Sequence, residues 1–261
     1  MKVYRPIRTN NKTQVFGANL ACAKTNVFGG LDIPTSVVTR ANELTVCPLG
    51  YKPFYPLIGM KGHNGEDWQS YNGEPIFFPV HVEGVEWQAA TEVDRDGGIG
   101  VRIRSKTPVP LDMLPPQARG SLNMIEKQWE AQGHAVYLIF LFWHLKAVDV
   151  YDKKPIAFGD RIGWADSTGA SSGPHVHFAM KVSDVNSWFT IDSDNGYTGA
   201  IDFSHWFSNQ FVLDVISAEK AKNLPGDQHL GVIAEQYQKE GNNKLAAQLW
   251  AILDVLRAFL K

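Results

Sequence analysis

Cysteine is nearly missing: the 261 residues contain two, Cys22 and Cys47, without CxxC spacing. That excludes a thiolate zinc ribbon and a disulfide scaffold. Two readings stay open, a pair of free thiols or one Cys22–Cys47 bridge in an oxidising compartment. An excess of either charge is missing too. Lys+Arg number 25 and Asp+Glu 27, a net charge of −2, which argues against a nucleic-acid coat or a polybasic membrane binder. Long apolar runs are also lacking. The longest, Val136 to Trp143 (VYLIFLFW), falls far short of the roughly 20 residues needed to span a bilayer. The opening MKVYRPIRTNNKTQ has no apolar run behind its basic residues, so no secretory signal peptide is expected and any action outside the cytoplasm needs another route. No repeat and no HExxH occurs, and no Ser-His-Asp ordering accompanies a GxSxG elbow, which disfavours solenoids, helical zinc proteases and elbow-type serine hydrolases.

What is present suits a globular chain with a sizeable core: 44% hydrophobic and 20% charged residues. The 23 Gly and 14 Pro imply many turns and hence a β-rich body. Three zones follow from the hydrophobic period. Residues 1–60 mix turn residues with short apolar patches and read as a loop-rich wrap that needs a surface to pack on. Residues 61–215 alternate strand-like runs with turns, as in GVEWQAATEV, the turn DRDGG, and IGVRIRS, where Ile99, Val101 and Ile103 share a face. This is an antiparallel pattern. Within it, residues 107–133 carry four prolines and then SLNMIEKQWEAQG of helical composition, an insertion between strands that could rim a cleft. In the tail, 216–261, Leu245, Leu249, Ile252, Leu253 and Leu256 fall on one helical face, as do Leu230, Ile233, Ala234 and Tyr237. Gly241 and Asn242-Asn243 separate them, so a helical pair is expected, packing on the body, on a second copy or on a partner.

The chemistry concentrates in the histidines. His175 and His177 flank Val176 in SGPHVHFAMKV, and on a strand residues i and i+2 point the same way. The two imidazoles then stand side by side, with Val176 and Phe178 turned into the core. In KGHNGEDW, His63 and Asp67 are four apart, but Gly62, Asn64 and Gly65 make a helix improbable; a glycine turn must bring them together. Imidazole plus carboxylate suits zinc. His144 ends the strand VYLIFLFWHL at the rim of a core, where titratable rings are often functional. Each of these signals alone is weak. In combination they place donors 110 residues apart in the chain, which excludes a local zinc finger and suits strands of one sheet.

On these residues the sequence resembles the LytM/lysostaphin-type (M23) zinc metallopeptidases of peptidoglycan. GHNGEDW followed by GEPIFFPV resembles the first zinc motif and its next strand, WHL the block with a catalytic histidine, and GDRIGWADSTGASSGPHVHF the glycine-rich run into the second motif. The likeness runs from about Thr13, where TQVFGAN resembles a phage-type lead-in, through NGYTGAIDFSHWF near Phe207. It implies a mainly β, antiparallel, lysostaphin-like (duplicated-hybrid-motif-like) core. It further implies that His63, Asp67 and His177 ligate Zn2+ and that His144 and His175 are catalytic. Three protein ligands leave a fourth position for water, whose pKa zinc lowers to about 7. On this expectation His175 is the general base and His144 donates to the tetrahedral oxyanion or the leaving amine.

The implied substrate is a peptide bond in the stem or cross-bridge of peptidoglycan. The phage-type lead-in suggests a phage or prophage lysin released by a holin, or a tail component of the virion. A rival from another class is a non-catalytic M23-like module that binds wall or activates a hydrolase through its tail; such modules usually lack some ligands, and here all five positions are filled. One departure stands out: Glu66 occupies a usually aliphatic position and is expected to pair with an Arg or lie exposed. Ser167, Thr168, Ser171 and Ser172 read as turn formers. His81, His134, His205 and His229 match no motif and read as structural or surface residues.

Overall fold

The period-2 runs pair as strands because each has one apolar face to bury. In the computed structural model, residues 1–18, 22–25, 31–32, 49–50, 52–110, 113–114, 135–183, 188, 190, 193–222 and 226–259 are described. In chain order the strands are β1 (Lys2–Arg5), β2 (Lys12–Gln14), β3 (Cys22–Thr25), β4 (Leu31–Asp32), β5 (Lys52–Pro53), β6 (Glu66–Gln69), β7 (Pro75–Phe77), β8 (Val80–His81) and β9 (Trp87–Asp94). They continue as β10 (Gly98–Ser105), β11 (Val109–Pro110), β12 (Ala135–Val148), β13 (Pro155–Ile156), β14 (Arg161–Ala165), β15 (His175–Ser183), β16 (Ala200–Ile201) and β17 (Phe207–Phe211). The helices are α1 (Phe54–Leu57), α2 (Val212–Ala221), α3 (Gly226–Lys239) and α4 (Asn243–Phe259).

The principal sheet runs β13-β9-β10-β12-β15-β6-β2, all antiparallel, with β14 attached to β12 and β7. The mainly β, antiparallel class expected from the sequence is the observed one. β12 is its spine, and its alternation divides the sheet into two faces. Phe140 and Phe142 enter the main core with Val101, Ile103, Val176, Phe178 and Met180, every one at 1% exposure or less. Ile139, Leu141, Ala179 and Trp143 lie on the opposite face, which also carries the histidines of β15. Ile99 packs partly buried against the core beside Val101 and Ile103, as its period required.

The N-terminal zone is more regular than its composition suggested. β1 lies between β8 and β17, parallel to β17, with Val3 fully buried, and β2 forms the edge beside β6. Both pairings join segments remote in sequence, which local patterning does not encode. Cys47 and, beyond residue 110, all of the 107–133 insertion except 113 and 114 lie outside the described residues, as does the side chain of Cys22, so the cysteine and insertion expectations fall there.

The helical region begins at Val212, earlier than the expected 216, with a helix, α2, that the tail reading did not include. The expected pair is present as α3 and α4, separated by Gly241 at φ +78°, and the Asn242 side chain accepts from the Leu245 N–H at 3.3 Å. Leu253 is fully buried, whereas Ile252 and Leu256, predicted on the same face, are 50% and 39% exposed. Arg8 ties this region to the body: it donates to Glu240 at 3.1 Å and to Asp214 at 3.0 Å, with its guanidinium over the Phe211 ring. Among the described residues no helix is long and apolar enough to cross a membrane.

Glu66 departs from expectation. It is 1% exposed, and its partner is the ammonium of Lys12, which also lies over the Trp68 and Phe207 rings, 4.8 and 4.5 Å from their centroids. Burial pushes the Glu66 carboxyl up and Lys12 opposes that rise. Removing one partner of a buried pair leaves an uncompensated charge. Lys12→Met is therefore expected to destabilise the protein by about 3 kcal/mol, and Lys12→Met with Glu66→Leu to regain most of that, as read by urea unfolding. Equal losses in the single and double variants would refute the pairing.

Candidate metal centre

Strand β15 enters after Pro174 and pairs with β6 in the register His177↔Asp67 and His175↔Gln69. That register sets the Asp67 carboxylate against the imidazole of His177. His63 arrives through the turn 61–65, whose amide Lys61 N–H donates to Gly196 O at 2.8 Å while Gly17 N–H donates to His63 O at 2.8 Å. Asn64 adds a bond to Thr198 Oγ1 at 2.8 Å. At Gly65 a Cβ would meet Phe178 O at 2.7 Å and the His177 ring at 2.8–2.9 Å, so the chain passes too close for any side chain. Gly65→Ala is thus expected to displace His177 and weaken zinc binding roughly 10- to 100-fold, measurable by titration against a chromophoric chelator. Unchanged affinity would contradict the packing described here.

Three donor atoms converge. His63 Nε2 and His177 Nδ1 are 3.0 Å apart, His63 Nε2 is 3.1 Å from Asp67 Oδ1, and His177 Nδ1 is 3.0 Å from the same oxygen. All three residues are buried, at 3%, 6% and 8% exposure for His63, Asp67 and His177. Hydrogen bonds cannot satisfy this triangle. If both rings donate to Asp67, two N–H groups face each other; if one ring accepts from the other, its lone pair faces the carboxylate. A cation at the centre satisfies all three sides, and a tetrahedral ion with bonds of 2.0–2.1 Å sets donors about 3.3 Å apart, close to the observed edges. The donor set therefore fits zinc. His63 is further oriented by Nδ1, which donates to Val15 O at 3.3 Å, and its ring lies 5.7 Å from that of Tyr55, whose hydroxyl donates to Gln14.

The electrostatics of the protein alone lead the same way. Burial works against charge on Asp67, yet His63 and His177 hold its carboxyl well below the usual range. Burial likewise opposes charge on His63, and Asp67 outweighs it, raising that ring's pKa. His177 is lowered, chiefly by burial.

The other two histidines stand beside this cluster. His175 Nε2 is 3.8 Å from Asp67 Oδ2, and the His144 and His175 ring centroids are 4.5 Å apart. His144 sits in a bulge: between Ile99↔Leu145 and Val101↔Phe142, two steps along β10 answer three along β12. Its backbone is left-handed, φ +65°, a conformation a non-glycine residue adopts only under constraint. The extra residue turns the ring to the face that carries His177, 6.2 Å away between centroids. Burial, and secondarily His175, lowers the His144 pKa to about 4. His144 Nδ1 lies 2.7 Å from Thr168 O, and His175 Nδ1 2.9 Å from Gly173 O and 3.1 Å from Ser171 Oγ.

All five residues singled out from the sequence thus meet in one place. His81 and His205 are exposed, their rings beside Phe158 and Trp206 respectively; His134 and the His229 side chain lie outside the described residues. Sequence reasoning missed the Thr168 carbonyl and the Ser171 hydroxyl as partners of the rings, although both residues precede HVH by only a few positions. It also missed Tyr55 and the Val15 carbonyl, for which no local signal exists.

A β-sheet scaffold holding a His/Asp/His cluster flanked by two further histidines defines this class of site. No protein-family model matches the chain, and no curated protein does. Among solved structures the fold is similar to the catalytic domain of the antimicrobial peptidase lysostaphin from Staphylococcus simulans, with 20% identity and a TM-score of 0.36 over 56% of this chain and 79% of that one. It is also similar to a zinc-containing peptidase from Vibrio cholerae, with 16% identity and a TM-score of 0.37 over 70% of this chain and 37% of that one. A chain of the SpoIIQ–SpoIIIAH pore-forming complex aligns over 84% of this chain and 97% of its own, with 13% identity and a TM-score of 0.39.

Proposed function

We propose that this chain is a zinc-dependent endopeptidase that hydrolyses peptide bonds in the stem or cross-bridge of bacterial peptidoglycan. The observation that carries this reading is the triangle of donor atoms from His63, Asp67 and His177, with the rings of His175 and His144 alongside. Those three residues would hold the ion, which when bound supplies a Lewis acid for a peptide carbonyl and for water.

The remaining chemistry belongs to the chain. His175, nearer the carboxylate, accepts the proton of the attacking water at Nε2 and returns it to the leaving amine. His144 is neutral before substrate arrives, because burial lowers its pKa to about 4. It becomes a donor to the tetrahedral oxygen only after taking up a proton, which the negative charge developing there favours. The sequence resemblance to phage-type members supports a phage or prophage lysin, or a tail-associated wall hydrolase, that reaches the wall by holin-type release or on the virion.

The test compares purified peptidoglycan incubated with the native protein, with chelator-treated protein and with His175→Ala. New amino termini appearing only with metal and His175 support the peptidase. Wall binding indifferent to both, with no peptide release, would establish the non-catalytic module instead.

A further inference from the structure

The run DSTGASSG reads from sequence as a turn, yet its polar groups face both flanking histidines. The loop begins by joining their backbones: Asp166 N–H donates to His144 O at 3.0 Å, and His175 N–H donates to Asp166 O at 3.0 Å. Thr168 then anchors it to two strands. Its hydroxyl donates to Leu145 O at 2.8 Å and accepts from Ile99 N–H at 3.1 Å. The fit is close, since a Cβ on Gly98, which has φ +70°, would lie 2.4 Å from the Thr168 carbonyl carbon. So placed, the Thr168 carbonyl takes the Nδ1–H of His144 at 2.7 Å.

Ser171 does the corresponding work for His175. Its hydroxyl donates to Gly173 O at 2.9 Å and so spends its one hydrogen there. It accepts from Ser167 Oγ at 2.8 Å, and toward His175 Nδ1, 3.1 Å away, it can act only as an acceptor. Gly173 O, 2.9 Å from the same nitrogen, is an acceptor by nature. Each Nδ1 therefore faces nothing but acceptors and must carry the hydrogen, and each Nε2 keeps its lone pair.

We propose that the loop 166–173 is a single positioning element for both histidines, with Thr168 and Ser171 as positioning residues that fix His144 and His175 as Nδ1–H tautomers. One loop then sets two bases at once, and the left-handed backbone of His144 is held by the same contacts, with Gly97 O accepting its N–H at 2.9 Å. The consequence for turnover rests on the peptidase reading; the tautomers do not.

The experiment uses full-length protein labelled with 15N-histidine, with and without zinc, and long-range 1H–15N spectra that distinguish the tautomers. Nδ1–H signatures for His144 and His175 are expected in the native protein, with that of His175 weakened in Ser171→Ala, which removes one of its two acceptors and the hydroxyl that holds the other, Gly173 O. Thr168→Val and Ser171→Ala are expected to lower kcat roughly 10- to 100-fold with KM and zinc content unchanged, and Thr168→Ser to restore most of the lost kcat. An Nε2–H signature for either ring in the native protein overturns the proposal, as does unaltered kcat in both variants. If Thr168→Val does not fold, the native spectrum and Ser171→Ala decide. If the native protein cleaves no wall, the peptidase reading falls and the spectra still decide the tautomers.

Discussion

On the proposed zinc-peptidase reading, Asp67→Asn is expected to lower zinc affinity by more than about 100-fold and to abolish release of wall peptides, because an anionic donor to the ion is lost where even supporting residues matter at that level. The substitution keeps shape and removes charge. Asp67 Oδ1 touches both His63 and His177, so no other residue of the cluster can replace it. Calorimetric titration of zinc and an assay of new amino termini check the two parts, and native-like zinc affinity in the variant would remove the metal-centre assignment. The metal-free protein gives a second reading of the same contact. Asp67, lowered from 3.8, contributes stability above that value and loses it as pH falls through its folded pKa; His63, raised from 6.5, contributes below 6.5 and loses it as pH rises through its folded pKa. The native chain should therefore exceed Asp67→Asn in stability most between pH 3.8 and 6.5.

His144→Asn is the second large effect, and its sign is opposite. A histidine whose pKa falls from 6.5 to about 4 on folding binds fewer protons folded than unfolded, so stability drops as pH falls through that window. The loss reaches about 3 kcal/mol at the acid end. Asparagine does not titrate and tolerates the left-handed backbone at this position. In chelator, urea unfolding should show the variant losing about 3 kcal/mol less stability than the native chain between pH 7 and pH 4. Equal acid sensitivity of the two proteins would mean that His144 is not buried as a neutral ring.

These residues also show how far the chain could be read in advance. The side-by-side placement of His175 and His177 needs only the two-residue period of a strand, and Val176 and Phe178 fall in the core for the same reason. The need for a glycine turn between His63 and Asp67 was likewise local, since GHNG disfavours a helix. The helices α3 and α4 follow from apolar spacing and the Gly241 break, but α2 did not announce itself. Its residues pack on the body through Val212 and Leu213, both buried at 2% or less, an environment made by distant strands.

Composition and strand period by themselves pointed to a β-rich body and to His175 and His177 side by side on one strand face, because those features depend on neighbours a few positions away; the grouping of His63, Asp67, His144, His175 and His177 into one site came from the family resemblance. Tertiary structure alone decided that Lys12 rather than an arginine answers Glu66, that β1 runs parallel to β17, and that a bulge swings His144 onto the face of His177. It also decided that the Thr168 carbonyl and the Ser171 hydroxyl face the two rings rather than merely shaping a turn. Each of these depends on which strand edge meets which, and a pairing across many tens of residues is selected by the packing of the whole sheet, with no signature at either end.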